Sequence, residues 1–143
     1  MKHILLVEDD PLSREVIEDI FAYEDVPGEL VCTKSGEEAL NIIPTLDPLV
    51  ILMDIGLPGM DGLETTKALK ANPATKRIPV WAVTAARTPA EVNAALEAGC
   101  SGYFVKPIEP KRMAHELRAF RSAAVAQLAF QTLGGQNEDN LAS

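Results

Sequence analysis

The sequence predicts an α/β fold in which a parallel sheet of five strands is wrapped by helices on both faces. Three observations point there. Four short runs are apolar on both faces rather than alternating, as buried parallel strands are. Helical apolar spacing fills the intervals between them. Strand and helix patterns alternate five times, the order that a sheet covered on both sides requires.

The first strand runs from Ile4 to Val7. Asp10 then suits an N-cap, with Pro11 at the first helical position, where its missing N–H costs nothing. Leu12, Val16, Ile17, Ile20 and Phe21 recur at helical spacing behind it. A weaker strand, Leu30 to Thr33, suits a sheet edge. Ser35 and Glu38 have capping-box spacing ahead of Ala39, Leu40, Ile42 and Ile43. Leu49 to Met53 form the next strand, and a helix follows from about Gly62 to Ala71. Ile78 to Val83 read as a strand, followed by a helix from about Pro89 to Ala98. Tyr103 to Val105 complete the sheet, and a fifth helix begins near Pro110.

A chain of 143 residues has room for one domain with a single core. Its net charge of −8 argues against a nucleic-acid surface, because phosphate backbones recruit Lys and Arg. A metal cation or a basic patch on another protein suits that balance better. No apolar run approaches the roughly 20 residues that span a bilayer. Ile4 to Val7 is too short for the core of an export signal and is followed at once by Glu8-Asp9-Asp10. Cys32 and Cys100 lack CxxC spacing and read as buried free thiols. The expected location is a reducing cytoplasm.

Right-handed crossovers put the C-terminal ends of all the strands on one edge, where open α/β sheets bind ligands. The first strand ends in Glu8-Asp9-Asp10, the third in Asp54, the fourth in Thr84-Ala85 and the fifth in Lys106-Pro107. If the first and third strands are neighbours, as in the flavodoxin-like order, three or four carboxylates converge. Unrelieved, they would repel and raise one another's pKa values. A hard divalent cation and the Lys106 ammonium can both relieve them, and Mg²⁺ takes oxygen ligands of this kind. Carboxylates, a metal and a lysine suit phosphoryl transfer, which needs positioning and charge neutralisation. An aspartate can serve as its nucleophile and form an acyl phosphate. Each element alone has a plain reading: an acid after a strand is often a helix cap, and Lys-Pro is often a turn. The joint pattern on four strand ends carries the functional one.

The segments LLVEDDP, ILMDIGLPGMDG, VWAVTA and GYFVKP, in this order and spacing, resemble the receiver domain of two-component response regulators. The resemblance extends from about Lys2 to Phe120. It implies a flavodoxin-like doubly wound (βα)5 fold with strand order 2-1-3-4-5. It further implies that Asp54 is the phosphoacceptor, forming 4-aspartylphosphate. Asp9 would bind Mg²⁺ directly (or Mn²⁺ in its place), with Glu8 acting mostly through water and the Gly56 carbonyl completing the metal shell. Thr84 corresponds to the switch hydroxyl, Ala85 to the small residue beside it, and Tyr103 to the aromatic that swings inward. Lys106 corresponds to the phosphate-binding lysine, and the bond to Pro107 is expected cis. Pro58-Gly59 suits a turn that curls the loop over the metal.

His3 and His115 lie outside these motifs, so the phosphoryl donor must be a partner, a histidine kinase or a histidine phosphotransfer protein. The chain is then a single-domain response regulator that acts on a downstream protein target through its fourth helix, fifth strand and fifth helix. It is not a turnover enzyme. The expected organisation is a receiver domain over 1–122, an apolar extension of the fifth helix over 123–133 and a polar tail over 134–143. The extension carries no charge from Ala123 to Leu133, so it folds back on the domain, forms a homodimer through the fifth helix, or meets another partner. Competing readings of the fold lack their motifs. A haloacid-dehalogenase-type phosphatase needs Asp-x-Asp where Asp9-Asp10-Pro11 stands, a nucleotide-binding domain needs glycines there, and FMN phosphate would face the acid cluster. The alternative that survives is an interaction module working without phosphorylation, or the receiver part of a longer hybrid protein.

Overall fold

In a computed structural model, which describes residues 2–56, 60–85 and 88–124, strands and helices alternate along the chain. They are β1 (His3–Val7), α1 (Pro11–Tyr23), β2 (Glu29–Thr33), α2 (Gly36–Leu46), β3 (Val50–Met53), α3 (Gly62–Ala71), β4 (Val80–Thr84), α4 (Pro89–Ala98) and β5 (Gly102–Val105). A fifth helix, α5, is described over 110–124. The strands form one parallel sheet in the order β2-β1-β3-β4-β5, as expected, with the weakest strand at one edge. Pro58-Gly59 and most of the apolar extension and tail, from residue 125 on, lie outside the described residues.

The strands are apolar on both faces because each face has its own helical cover. Leu5, Val7, Ile51, Met53, Val80 and Ala82 pack beneath α2, α3 and α4. Ile4, Leu6, Val50, Leu52, Trp81, Val83 and Phe104 pack beneath α1 and α5, which contribute Ile17, Ile20, Met113 and Leu117. Trp81 sits with its ring centroid 5.7 Å from Phe104 and 5.4 Å from Phe120, tying α5 to the β4–β5 edge. Burying one such side chain contributes about 1.5–3 kcal/mol, so these two layers dominate the stability of the fold.

Local signals hold at the helix starts. Asp10 caps α1 by accepting from the Ser13 N–H at 3.0 Å, with Pro11 in the first turn. Ser35 accepts from the Glu38 N–H at 3.1 Å, but the return half of the capping box goes elsewhere: the Glu38 carboxylate takes the Lys34 N–H at 3.4 Å. A complete capping box opens α4 instead, between Thr88 and Glu91. The helical spacing in α1 is real, yet only part of it faces the core. Ile17 and Ile20 are buried, whereas Leu12 is 72 % and Val16 41 % exposed. At 100° per residue Leu12 and Val16 fall toward the rim of the stripe centred on Ile17 and Ile20.

Candidate phosphoacceptor and metal site

The sheet ladders place the site. Past the strand ends the Glu8 N–H donates to the Thr33 carbonyl at 2.9 Å, and the Asp54 N–H to the Val7 carbonyl at 3.0 Å. These bonds set the two acids side by side above β1 and β3. At the other side the Lys106 N–H donates to the Thr84 carbonyl at 2.8 Å, joining the ends of β4 and β5. The Lys106–Pro107 bond is cis. The first turn of α3 closes the floor: a Cβ at Gly62 would lie 2.2 Å from the Asp54 carbonyl oxygen, so only glycine permits this approach.

Glu8, Asp9 and Asp54 each offer a carboxylate oxygen within 4.8 Å of the others. Glu8 is fully buried and Asp54 is 8 % exposed, whereas Asp9 stands in solvent. Lys106 Nζ donates to Glu8 Oε1 at 2.5 Å and lies 3.5 Å from Asp54 Oδ2. The Gly56 N–H donates to Asp54 Oδ1 at 3.1 Å, which leaves the Gly56 carbonyl in the same loop. Asp10 leaves the cluster altogether, because its carboxylate is engaged as the α1 cap by both the N–H and the hydroxyl of Ser13.

Thr84 is buried at the end of β4, and Ala85 after it is exposed. Tyr103 lies on β5 opposite Ala82, half-buried against the α2–α4 layer. Burial pushes its phenol upward, with Glu91 adding to the effect. The two cysteines are free; Cys100 is buried and Cys32 half-buried, and burial raises both thiols. The Lys106 ammonium relieves the acid cluster as expected, but its choice of Glu8, 98 positions away, has no local signature. One partnership escaped the sequence reading. Glu37 of α2 accepts the Met60 N–H at 2.9 Å, a bond between elements that no spacing rule reports.

Electrostatics make this cluster fit a cation. Burial, then the hydrogen bond and charge of Asp54, raise Glu8 from 4.5 to about 7 against the opposing pull of Lys106. Burial draws the Lys106 ammonium down, but its bond to Glu8 and the charges of Asp54 and Glu8 outweigh that and raise it. One ammonium therefore does not neutralise the three acids. The remaining negative charge and the oxygen-only donor set match a hard divalent ion.

The raised Glu8 gives a pH signature. The folded protein keeps a proton that the unfolded chain releases between pH 4.5 and about 7. Stability from this group is full below pH 4.5 and is lost as pH rises through 7. At about 1.4 kcal/mol per pKa unit, the loss is on the order of 3 kcal/mol. In chelator, the melting temperature is expected to fall on the order of 10 °C between pH 5 and pH 8. Glu8→Gln should flatten that fall, and an equal fall in the variant would assign it to other groups.

Known proteins resemble this chain over most of its length. The family model of the response regulator receiver domain matches residues 4–118. The polar-differentiation response regulator DivK of Brucella ovis is 36 % identical over 119 residues, covering 83 % of this chain and 95 % of that protein. A putative response regulator from Chloroflexus aurantiacus superposes with a TM-score of 0.76 at 31 % identity, covering 83 % of this chain and 96 % of that one. The Mn²⁺-bound form of response regulator Rcp1 superposes at 0.70 with 28 % identity, over 85 % of this chain and 93 % of its own. Among the described residues no helix is long and apolar enough to cross a membrane.

Proposed function

The chain belongs to the response regulator receiver domain family, and on that premise we propose that it is a phosphorylation switch whose acceptor is Asp54. The carrying observation is the convergence of Glu8, Asp9 and Asp54 around one point, with Lys106 Nζ 3.5 Å from Asp54. Receiver domains are signalling proteins that interact with histidine kinases and downstream targets. Here the phosphoryl group is received on the protein's own side chain rather than turned over on an external substrate.

In this mechanism Asp9, Asp54 and the Gly56 carbonyl would hold Mg²⁺, with Glu8 acting mostly through water. The ion supplies charge neutralisation to the transferring phosphoryl oxygens. An Asp54 carboxylate oxygen attacks phosphorus, the P–N bond to the donor imidazole breaks, and the electron pair leaves with the imidazole. Lys106 exchanges its bond to Glu8 for one to a phosphoryl oxygen, which its flexible stem permits. The Thr84 hydroxyl then turns toward the phosphoryl group, Ala85 leaves it room, and Tyr103 follows inward.

A groove beside Lys106 supports a docking place for the donor. It is largely apolar, ≈ 450 Å³ in volume, and lies between α1 and the segment that follows β5, lined by Leu12, Val16, Ile17, Lys106, Pro107 and Ile108. A phosphohistidine-bearing partner seated there presents its phosphoryl group to Asp54. The exposed Leu12 and Val16, out of place in a purely structural helix face, fit this role. The uncharged stretch from Ala123 to Leu133 is the proposed contact for a second copy or another partner.

Incubation with acetyl phosphate, with and without Mg²⁺, tests the proposal by intact mass and peptide mapping. One phosphoryl adduct on Asp54, formed only with Mg²⁺, is expected. No adduct, or one mapped elsewhere, defeats the reading. Lys106→Ala should still take up the phosphoryl group but lose the linked response. Beryllofluoride-induced amide shifts at Thr84 and Tyr103 are expected to shrink severalfold. Shifts of full wild-type size would remove Lys106 from the switch.

A further inference from the structure

Asp10 is no member of the acid cluster, yet it stands where the cluster meets a helix start. The turn from Glu8 to Asp10 carries Asp9, which is exposed and has no side-chain hydrogen bond among the described residues. What holds the turn at either end therefore sets the direction of Asp9. At its entry the Glu8 N–H donates to the Thr33 carbonyl at 2.9 Å. At its exit the Asp10 carboxylate accepts both the N–H of Ser13 at 3.0 Å and its hydroxyl at 2.8 Å. Pro11 favours an extended Asp10, found at φ −79° and ψ 120°. In that pose Asp10 donates its own N–H back to Glu8 Oε2 at 3.3 Å. Lys106 holds the other oxygen of the same carboxylate.

We propose that Asp10 is a positioning residue for the metal site: by capping α1 it fixes the turn on which Glu8 and Asp9 face the cation. The inference rests on the metal reading above. Asp10 touches neither metal nor phosphoryl group. It acts through the peptide bond it shares with Asp9 and through its N–H to Glu8. When Lys106 turns to a phosphoryl oxygen, that N–H is the bond that Glu8 keeps. Ordering a loose turn costs backbone entropy, and a turn already ordered by its cap spares metal binding that cost. The role needs an acceptor rather than a charge, because Asn and Ser cap a helix about as well as Asp.

Cap and charge separate cleanly at this position. Asp10→Asn removes the charge but keeps an oxygen for the Ser13 N–H, whereas Asp10→Ala removes both. Thr88→Ala removes a cap of the same kind from α4, two strands away across the sheet. Mn²⁺ affinity of the full chain, read from the free-ion electron paramagnetic resonance signal, compares these variants without any activity assay. Asp10→Ala is expected to bind Mn²⁺ ~3–10-fold more weakly than wild type, a smaller loss than the roughly 10–100-fold typical when a direct partner of a metal ligand is removed. Asp10→Asn and Thr88→Ala should stay within about twofold of wild type. Both Ala variants should melt a few degrees lower in chelator, since each has lost a cap. Equal weakening of Asp10→Asn and Asp10→Ala would assign the effect to charge and overturn the proposal. Equal weakening of Thr88→Ala and Asp10→Ala would assign it to a general loss of helix stability and overturn it too, as would wild-type affinity in Asp10→Ala. Asp9→Ala, measured alongside, guards the premise: if it binds Mn²⁺ as tightly as wild type, the metal reading itself has failed.

Discussion

Asp54→Asn is expected to abolish covalent phosphorylation while the fold stays intact. The substitution is nearly isosteric at a site that is 8 % exposed, and the amide oxygen can still accept the Gly56 N–H as Asp54 Oδ1 does at 3.1 Å. What disappears is the anionic nucleophile, and an amide oxygen does not form a stable phosphoryl ester under these conditions. The fold also loses one of three crowded negative charges. Asp54 helps to raise Glu8 through both a hydrogen bond and its charge, so Glu8 should titrate lower in the variant. Two readouts follow. Intact mass after acetyl phosphate and Mg²⁺ should show no adduct, and the fall of melting temperature between pH 5 and pH 8 should be smaller than in wild type. A full adduct on the Asn protein would move the acceptor to another residue.

Removing the exposed Asp9 should reverse the sign of its effect with Mg²⁺. In chelator Asp9→Ala relieves repulsion with Glu8 and Asp54 and breaks no hydrogen bond shown for that side chain, so it is expected to melt at or slightly above wild type. With Mg²⁺ at 100 times its dissociation constant, wild type gains about 2.7 kcal/mol by mass action, worth several degrees or more in a domain of this size. The variant should gain little at the same concentration. Wild type then melts higher with Mg²⁺ and no higher without it, a crossover that a general loss of stability cannot produce. The same Mg²⁺-induced shift in both proteins would remove Asp9 from the metal shell.

Much of this protein was legible in its sequence because many of its signals are local. Apolar runs bounded by turns marked all five strands to within two residues at either end, and Asp10-Pro11 and Ser35 announced helix starts through bonds that span three residues. Strand ends are local too, so Glu8, Asp9, Asp54, Thr84 and Lys106 could be placed on one edge once the sheet was known to be parallel. The flanking helices were harder in detail. Spacing marked α1 but could not tell the buried Ile17 from the exposed Leu12 and Val16, because the groove beside α1 is made by Pro107 and Ile108 from the far end of the chain.

Tertiary structure alone decided the pairings. Of the acids after β1, Glu8 turns inward to Lys106, Asp9 stays in solvent near Asp54, and Asp10 is taken by the α1 cap. Three adjacent carboxylates look alike in sequence; ladder register and the direction in which the chain leaves the sheet separate them. The close approaches at Gly36 and Gly62 and the reach of Glu37 to Met60 likewise arise where elements meet. Periodicity and caps are enforced by hydrogen bonds a few residues apart and so leave a trace in spacing. Contacts across the sheet edge are enforced by packing between distant segments, and their trace appears only when the chain has folded.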